Sequence, residues 1–322
     1  MKFRLGYVAM TMNLEDCSPS GTVTYTVLQK LSDGEARLYR LKKVANKNLL
    51  NTLRILRYNK ALDISVYRLT SKLIPLATHP DLQDWQYSDD FTESLREIGD
   101  FIIQNDFRIS LHPDHFTLIN SPLQKVLVDS LRDLDYHVRL YEAMGLEDRK
   151  YKLVMHVGGV YGKKQDSLYR FSDNFIKLPD RIRNRIIIEN DDRSYNTYEV
   201  LELCQKLHTP MVLDVHHHNC LCGESGELEH VLPEVFGTWK GEYFPPKIHF
   251  SSPRSSKDFR SHADFINYNE FMSFIKIAAR VNVDFDVMLE AKEKDAALLK
   301  LSEELTATPG IVRINAGEFL ME

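Results

Sequence analysis

The heptapeptide RIIIEND at positions 185–191 shows the pattern on which the fold prediction rests. Three consecutive isoleucines predict a short buried β-strand, and polar residues follow at the point where that strand would end. Seven other runs of this kind are rich in Val, Ile, Leu or Phe, and they occupy residues 3–10, 64–70, 107–113, 152–157, 210–216, 247–252 and 285–291. The chain therefore contains eight candidate strands.

Segments with helical spacing separate the strands, at residues 48–61, 90–104, 125–144, 198–207, 268–279 and 295–305. Strands that alternate with helices predict a parallel sheet, and eight is the number that closes a barrel. An open doubly wound sheet usually carries a glycine-rich turn after its first strand, which GYVA at 6–9 does not provide. We expect an α/β protein with one (β/α)₈ TIM barrel, a single domain over residues 1–322, in which residues 18–33 form a long first βα loop.

The composition excludes several classes of protein. A hydrophobic content of 43% can bury a large core, which argues against intrinsic disorder. Apolar runs fall short of the roughly 18 residues that a membrane span needs, and four cysteines in a chain of this length do not form a disulfide framework. We therefore expect a cytoplasmic protein without a membrane partner. Because the net charge is −5, any contact with nucleic acid has to come from a local basic surface.

One such surface is indicated between residues 36 and 62, where no acidic residue occurs. The basic residues of this stretch are Arg37, Arg40, Lys42, Lys43, Lys47, Arg54, Arg57 and Lys60. Two interpretations remain open: a solvated helix face, or a surface that contacts phosphates.

Polar residues stand near the ends of six consecutive strands, which is where a βα barrel places its chemistry. They are His112, His156, Glu189, Asp214 with His216 to His218, His249, and Glu290. Buried charges are costly unless they are paired or bind a metal, and imidazoles with carboxylates suit Mn²⁺, Zn²⁺, Fe²⁺ or Co²⁺. The set is too large for one ion, so we expect a carboxylate that bridges two ions, with a further pair of residues for a third. Strand alternation favours His216 as the histidine beside Asp214. Adjacent divalent ions can hydrolyse a phosphodiester.

Eleven short motifs spread over nearly the whole chain make it resemble the UV damage endonuclease family, a relative of the endonuclease IV barrel nucleases. They are FRLGY at 3–7, YRLTS at 67–71, PLATHP at 75–80, LHP at 111–113, HVGG at 156–159, LP at 178–179, IENDD at 188–192, DVHH at 214–217, KIHFSSP at 247–253, RSHAD at 260–264 and LEAK at 289–292. The resemblance implies incision of duplex DNA immediately 5′ of UV photoproducts, both cyclobutane dimers and 6-4 photoproducts, leaving a 3′-hydroxyl and a 5′-phosphate.

The resemblance also implies three divalent ions per chain, Mn²⁺ ahead of Zn²⁺, Co²⁺ or Mg²⁺. His112, His156 and Glu189 match the first centre, Glu189, Asp214, His249 and Glu290 the second, and His217 with His262 the third. On this pattern His217 rather than His216 is the ligand.

Other residues match the family's catalytic and DNA-binding positions. Lys247 matches a carboxylated lysine near the metals, and His79 matches a histidine close to the phosphate. Tyr7 and Asn13 match residues at the DNA-facing surface. His115 and Phe116 occupy the place of the pair that probes damaged bases, although the family commonly has Gln at the first of these positions. The expected partner is UV-damaged duplex DNA, bound by a monomer.

Two other functions compete with this interpretation. A divalent-metal sugar isomerase or epimerase also lines a barrel mouth with His, Glu, Asp and Lys, but it has no use for the basic stretch. A non-catalytic damage-binding protein would need fewer in-phase ligands than the sequence offers.

Overall fold

The strands pair in an order that closes a barrel. The computed structural model describes residues 1–222 and 228–322. The parallel strands are β1 Lys2–Val8, β2 Val66–Arg68, β3 Arg108–Leu111, β4 Lys152–His156, β5 Ile186–Glu189, β6 Met211–Asp214, β7 Lys247–Phe250 and β8 Phe285–Leu289. Each strand pairs with the next, β8 pairs with β1, and β1 pairs with β2, so the sheet has no free edge among these strands. The predicted (β/α)₈ barrel is confirmed.

Helices surround this barrel. They are α1 Tyr25–Gln29, α2 Gly34–Ala61, α3 Tyr87–Asp90, α4 Thr92–Gln104, α5 Gln124–Ala143, α6 Lys164–Ile176, α7 Asp180–Arg183, α8 Thr197–Leu207, α9 Val215–Cys222, α10 Leu228–Gly237, α11 Tyr268–Val281 and α12 Lys294–Thr306, with a 3₁₀ turn at Pro80–Leu82. In the part of the chain that the structure describes, none of them is both long and apolar enough to cross a bilayer.

Three boundaries differ from the prediction. Helix α2 begins at Gly34 rather than at residue 48, because Asp33 caps it by accepting a hydrogen bond from the Glu35 backbone N–H. The predicted loop 18–33 contains α1. The sixth strand ends at Asp214, since the chain becomes helical at Val215.

A C-terminal hairpin, which was not predicted, lies at the end of the barrel where the strands begin. Its strands are β9 Ile311–Asn315 and β10 Glu318–Met321. Strand β10 pairs antiparallel with the first residues of β1, Lys2 to Arg4, whereas β2 pairs with the last ones. The hairpin therefore extends the sheet at the N-terminal ends of the strands, away from the predicted site.

Alternate residues of each strand point into the barrel or out towards the helices. At the N-terminal end, the interior holds Asp286, which is 0% exposed. Arg4 binds it through two hydrogen bonds of 2.7 Å, and Arg108 donates a further one. Arg108 also lies 5.1 Å from the centre of the Trp239 ring. One carboxylate thus compensates two guanidinium groups inside the barrel.

Replacing that carboxylate should destabilise the fold. Asp286→Asn leaves two guanidinium groups without their counter-charge, and we expect a loss of about 3–5 kcal/mol in the free energy of unfolding. Glu97→Gln breaks an exposed pair with Arg57 and should cost less than about 1 kcal/mol. Chemical denaturation measures both. Equal losses in the two variants would show that the buried pair does not stabilise the barrel.

Candidate metal centre

The predicted ligands converge at the C-terminal ends of the strands. Each of the six strands β3 to β8 places a His, Asp or Glu at its last inward-facing position or directly after it: His112, His156, Glu189, Asp214, His249 and Glu290. All lie in the mouth of the barrel, the face on which TIM barrels carry their active sites. The structure thus brings together the side chains that the strand ends predicted.

Two histidines face one oxygen of Glu189. Oε2 of Glu189 lies 3.3 Å from Nε2 of His112 and 3.7 Å from Nε2 of His156. Nδ1 of His112 donates to the Pro113 carbonyl at 2.9 Å, and Nδ1 of His156 donates to the Glu189 carbonyl at 3.4 Å. These bonds leave the Nε2 lone pairs directed at the same place, as in metal-binding histidines. The three ligand atoms lie within 4.8 Å of one another.

The other oxygen of Glu189 belongs to a second group, with Asp214 and His249. Nδ1 of His249 lies 2.9 Å from Oε1 of Glu189. Oδ1 of Asp214 accepts the His217 backbone N–H at the start of α9, while Oδ2 is buried without a hydrogen-bond partner. A buried carboxylate oxygen without a donor is uncommon and suits a cation. The donor set of both groups therefore fits divalent metal ions.

Glu290 extends the second group. Its Oε1 lies 3.2 Å from Nδ1 of His249 and accepts a hydrogen bond from Arg68. Burial would raise the pKa of Glu290, but Arg68 and His249 lower it below the usual range. Sequence reasoning missed Arg68. The signal was its position as the last residue of β2, where it faces inward like the ligands of the other strands.

The helix after β6 places His217, rather than His216, beside Asp214. Because α9 begins at Val215, His217 lies one helical turn from Asp214 on the same face, with Nδ1 3.7 Å from Oδ2. Nε2 of His216 lies 3.2 Å from the Arg260 carbonyl oxygen instead. Strand alternation, which favoured His216, was therefore the wrong argument at this position. The ring centres of His217 and His262 are 6.3 Å apart, and the third metal centre stays a prediction.

Burial and neighbouring charges shift the pKa values of the carboxylates and of His217 in the mouth. Burial would raise the pKa of Glu189, but the imidazoles of His249 and His156 lower it well below the usual range. Burial raises the pKa of Asp214. Burial would lower the pKa of His217, but Asp214 and the two glutamates raise it to about 9. The carboxylates thus make the mouth a site that favours cations.

Lys247 lies one inward position below His249 and is 1% exposed. Its Nζ donates to Oγ of Ser110 at 2.8 Å, and Ser110 is a partner that sequence reasoning missed. Burial, followed by the charge of Arg108, holds the pKa of Lys247 well below its usual range. Burial therefore favours the neutral form of this amine.

Tyr7 does not lie at the surface, so its predicted position on the DNA-facing side is wrong. It is 0% exposed, and its hydroxyl donates to Oδ1 of Asn59 on α2 at 2.5 Å. The reason is strand alternation: Arg4 and Val8 of β1 face into the barrel, so Tyr7 faces outward and packs against α2.

The proposed probe residues are exposed on an anchored loop. His115 and Phe116 follow His112 at the mouth, and Phe116 is 45% exposed. Directly after them, Thr117 donates to buried Asp133 at 2.5 Å, and the Asn120 amide donates to the Gly159 carbonyl at 2.7 Å. The loop therefore presents both rings from a fixed base. Their contact with DNA stays a prediction.

Two more predicted residues lie on loops of the same face. Asn13 is exposed, and its amide donates to Oδ2 of Asp295 at 2.8 Å. His79 follows β2, and its Nδ1 accepts the Asp81 backbone N–H at 3.2 Å. Tyr25, which sequence reasoning missed because it falls in the predicted loop, stacks on the His79 ring with centres 3.9 Å apart. Its hydroxyl donates to Asp81 at 2.6 Å.

Comparison with known proteins gives consistent matches over nearly the whole chain. The family model described as UV-endonuclease UvdE matches residues 3–320. The UV DNA damage endonuclease of Bacillus thuringiensis subsp. konkukian (strain 97-27) is 44% identical over 317 residues, 98% of each chain. The crystal structure of SacUVDE superposes with a TM-score of 0.82 at 34% identity, covering 94% of this chain and 98% of that one. Endonuclease IV from Thermus thermophilus shares the fold, with a TM-score of 0.58 at 13% identity over 95% and 100% of the two chains.

The shared position of Glu189 makes a distinctive prediction for metal binding. Glu189→Gln removes a ligand charge from both groups, so Mn²⁺ should bind more weakly at two sites, by more than about 100-fold at each. His112→Ala touches the first group alone and should weaken one site. Titration calorimetry with circular dichroism as a folding control measures both. An identical, single-site loss in the two variants would remove the bridging role.

Proposed function

Because the chain belongs to the UV-endonuclease UvdE family, we propose that it nicks duplex DNA immediately 5′ of UV photoproducts and leaves a 3′-hydroxyl and a 5′-phosphate. Cyclobutane pyrimidine dimers and 6-4 photoproducts are the proposed lesions. The observation that carries the chemistry is the pair of ligand groups that share Glu189. Membership of an endonuclease family argues against a sugar isomerase and against a non-catalytic binder. The cytoplasmic location, the monomeric state and the single domain over 1–322 stay predictions.

The side chains of the mouth have separate roles in this proposal. His112, His156 and Glu189 hold one ion, Glu189, Asp214, His249 and Glu290 a second, and His217 with His262 a third, with Mn²⁺ as the preferred metal and Zn²⁺, Co²⁺ or Mg²⁺ as alternatives. Divalent ions bound there would supply an activated water and would stabilise charge on the phosphodiester. The carbonyl and carboxylate partners of the imidazoles keep the ligand nitrogens oriented.

His79 has a tautomer suited to phosphate. Since its Nδ1 accepts the Asp81 N–H, the proton of the neutral ring is on Nε2, which can donate to a phosphate oxygen. The stacked Tyr25 ring fixes the plane of the imidazole, and its hydroxyl bond to Asp81 ties the ring to the same turn. We assign Tyr25 as a residue that positions His79.

Incision of a defined lesion tests the function. A duplex with one cyclobutane dimer is incubated with the protein and Mn²⁺, with an undamaged duplex and Glu189→Gln as controls. We expect one cut, immediately 5′ of the dimer, whose upstream end a polymerase extends and whose downstream end carries phosphate. Binding without incision, or a cut at another position, would contradict the proposal.

We predict that His115 and Phe116 determine lesion choice rather than catalysis. A damaged pair is easier to unstack, and an aromatic side chain that fills the gap contributes about 1–3 kcal/mol by stacking. Phe116→Ala and His115→Ala should therefore lower the preference for damaged over undamaged duplex by about 5- to 100-fold, with metal content unchanged. Tyr243→Ala, which removes an exposed aromatic ring from the opposite end of the barrel, is the control. Equal loss on every substrate, together with loss of metal, would assign the two residues a structural role.

We predict that Lys247 becomes a carbamate. Its neutral amine attacks CO₂, a nitrogen–carbon bond forms and one proton leaves, giving an anion that the cations of the mouth would stabilise. A high-resolution crystal structure with metal and bicarbonate near pH 8 should show planar density beyond Nζ. A bare amine that still donates to Ser110 under these conditions would rule out the modification.

A further inference from the structure

Helix α2 is longer than the barrel it packs against. Its 28 residues span about 42 Å. Asn48, near its middle, marks the rim, because its amide donates to the Gly21 and Leu73 carbonyls at 2.9 and 3.0 Å, on the loops after β1 and β2. Helices of a βα barrel run opposite to the strands, so residues 34–47 extend about 20 Å beyond the rim, on the face of the metal centre.

A small apolar cluster, separate from the main core, supports this projecting half. Leu41 of α2 is buried against Val23 and Leu28. Leu76 and Trp85, which lie in the segment that carries His79, pack on the same cluster. The projection is therefore fixed relative to the catalytic face rather than a free helical end.

The cations of α2 divide at the rim. Below it, Arg57 pairs with Glu97 at 2.9 Å and Lys60 lies 3.9 Å from Asp63. Arg54 donates to the Glu15 carbonyl at 3.2 Å. Above it, Lys42 pairs with Asp90 at 2.5 Å.

Three cations above the rim form a stripe: Arg40, Lys43 and Lys47. All are exposed, and none has an ion pair in the part of the chain that the structure describes. Their spacing of three and four residues places them on one face of the helix.

The contacts that α2 makes after Asn48 show where that face points. Continuing the stripe by steps of three or four residues leads to Asn51 and then Tyr58. Asn51 donates to the Asp16 and Ser18 carbonyls at 3.1 and 2.9 Å. The Tyr58 hydroxyl accepts from the Asn13 amide at 3.2 Å. The stripe therefore stands above residues 11–18, which directly follow β1, at the edge of the mouth.

We infer that Arg40, Lys43 and Lys47 bind the phosphates of one duplex arm beside the lesion. The inference rests on the proposed function, which supplies the duplex at the mouth. From Arg40 to Lys47 the helix rises about 10 Å, which equals roughly three nucleotide steps of one strand. Phosphate contacts of this kind add affinity and orient the duplex, but they do not select the lesion. The stripe thus extends the bound region beyond the incision site.

Two matched pairs on one helix test the stripe. The stripe variant carries Arg40→Gln and Lys43→Gln. The wall variant carries Arg57→Gln and Lys60→Gln, which remove the same two residue types, also three positions apart, from the part of α2 that packs along the barrel wall. Dissociation constants for damaged and undamaged duplex are measured against salt concentration. We expect the salt slope of the stripe variant to fall by about two units, and its affinity for damaged and undamaged duplex to fall by the same factor. The wall variant should behave like the native protein. Equal slopes in all three proteins would overturn the inference and leave a solvated face.

Duplexes shortened from one arm at a time sharpen the test. Native protein should lose affinity when one particular arm is shortened, and the stripe variant should be insensitive to that truncation. Native-like sensitivity of the stripe variant to both truncations would also overturn the inference. Failure of the proposed function would give a different result. The native protein would then not incise the lesion, but the salt slopes of the native protein and the stripe variant could still differ on undamaged duplex.

Discussion

A carboxylate that is 1% exposed inside a barrel needs positive partners, and Glu189 has imidazoles from three other strands as neighbours. Its two oxygens face different groups of side chains, so the geometry of one residue divides the mouth into two candidate metal sites. The backbone carbonyls that orient His112, His156, His217 and His262 fix the rings around it. The backbone of the strands and of the segments that follow them therefore holds these rings in place.

The same alternation of strand residues organises the whole interior. Charged groups at the N-terminal end are compensated by Asp286, and Lys247 with Ser110 lies between that layer and the ligands. This arrangement explains why Lys247 is deprived of water while it stays close to the centre. Around the mouth, three segments add exposed groups on fixed supports. They are the loop after β3 with His115 and Phe116, the loop after β2 with His79, and the projecting half of α2. In our proposal, the groups that set specificity and affinity for DNA lie outside the barrel, and those that hold the metal ions lie inside it.

Sequence reasoning identified the eight barrel strands and the polar residue at the end of each of the last six, because a period of two inside a closed barrel leaves few positions for polar residues. It misplaced Tyr7, whose side of β1 becomes known only when the inward register of the strand is known. It missed the first half of α2, since that half is held by a tertiary cluster instead of an apolar periodicity. Arg68 and Ser110 were also missed, because each acquires its meaning from a partner on a distant strand. At residues 215 and 216 a helix replaced the expected strand, which changed the histidine that faces Asp214.

The central claim is that one carboxylate serves two metal ions. Anomalous diffraction from crystals of the protein grown with Mn²⁺ tests it directly. We predict one peak on each side of the Glu189 carboxylate, one with His112 and His156 and the other with Asp214 and His249, each bound to a different oxygen of Glu189. A single peak, or two peaks of which only one contacts Glu189, would contradict the account.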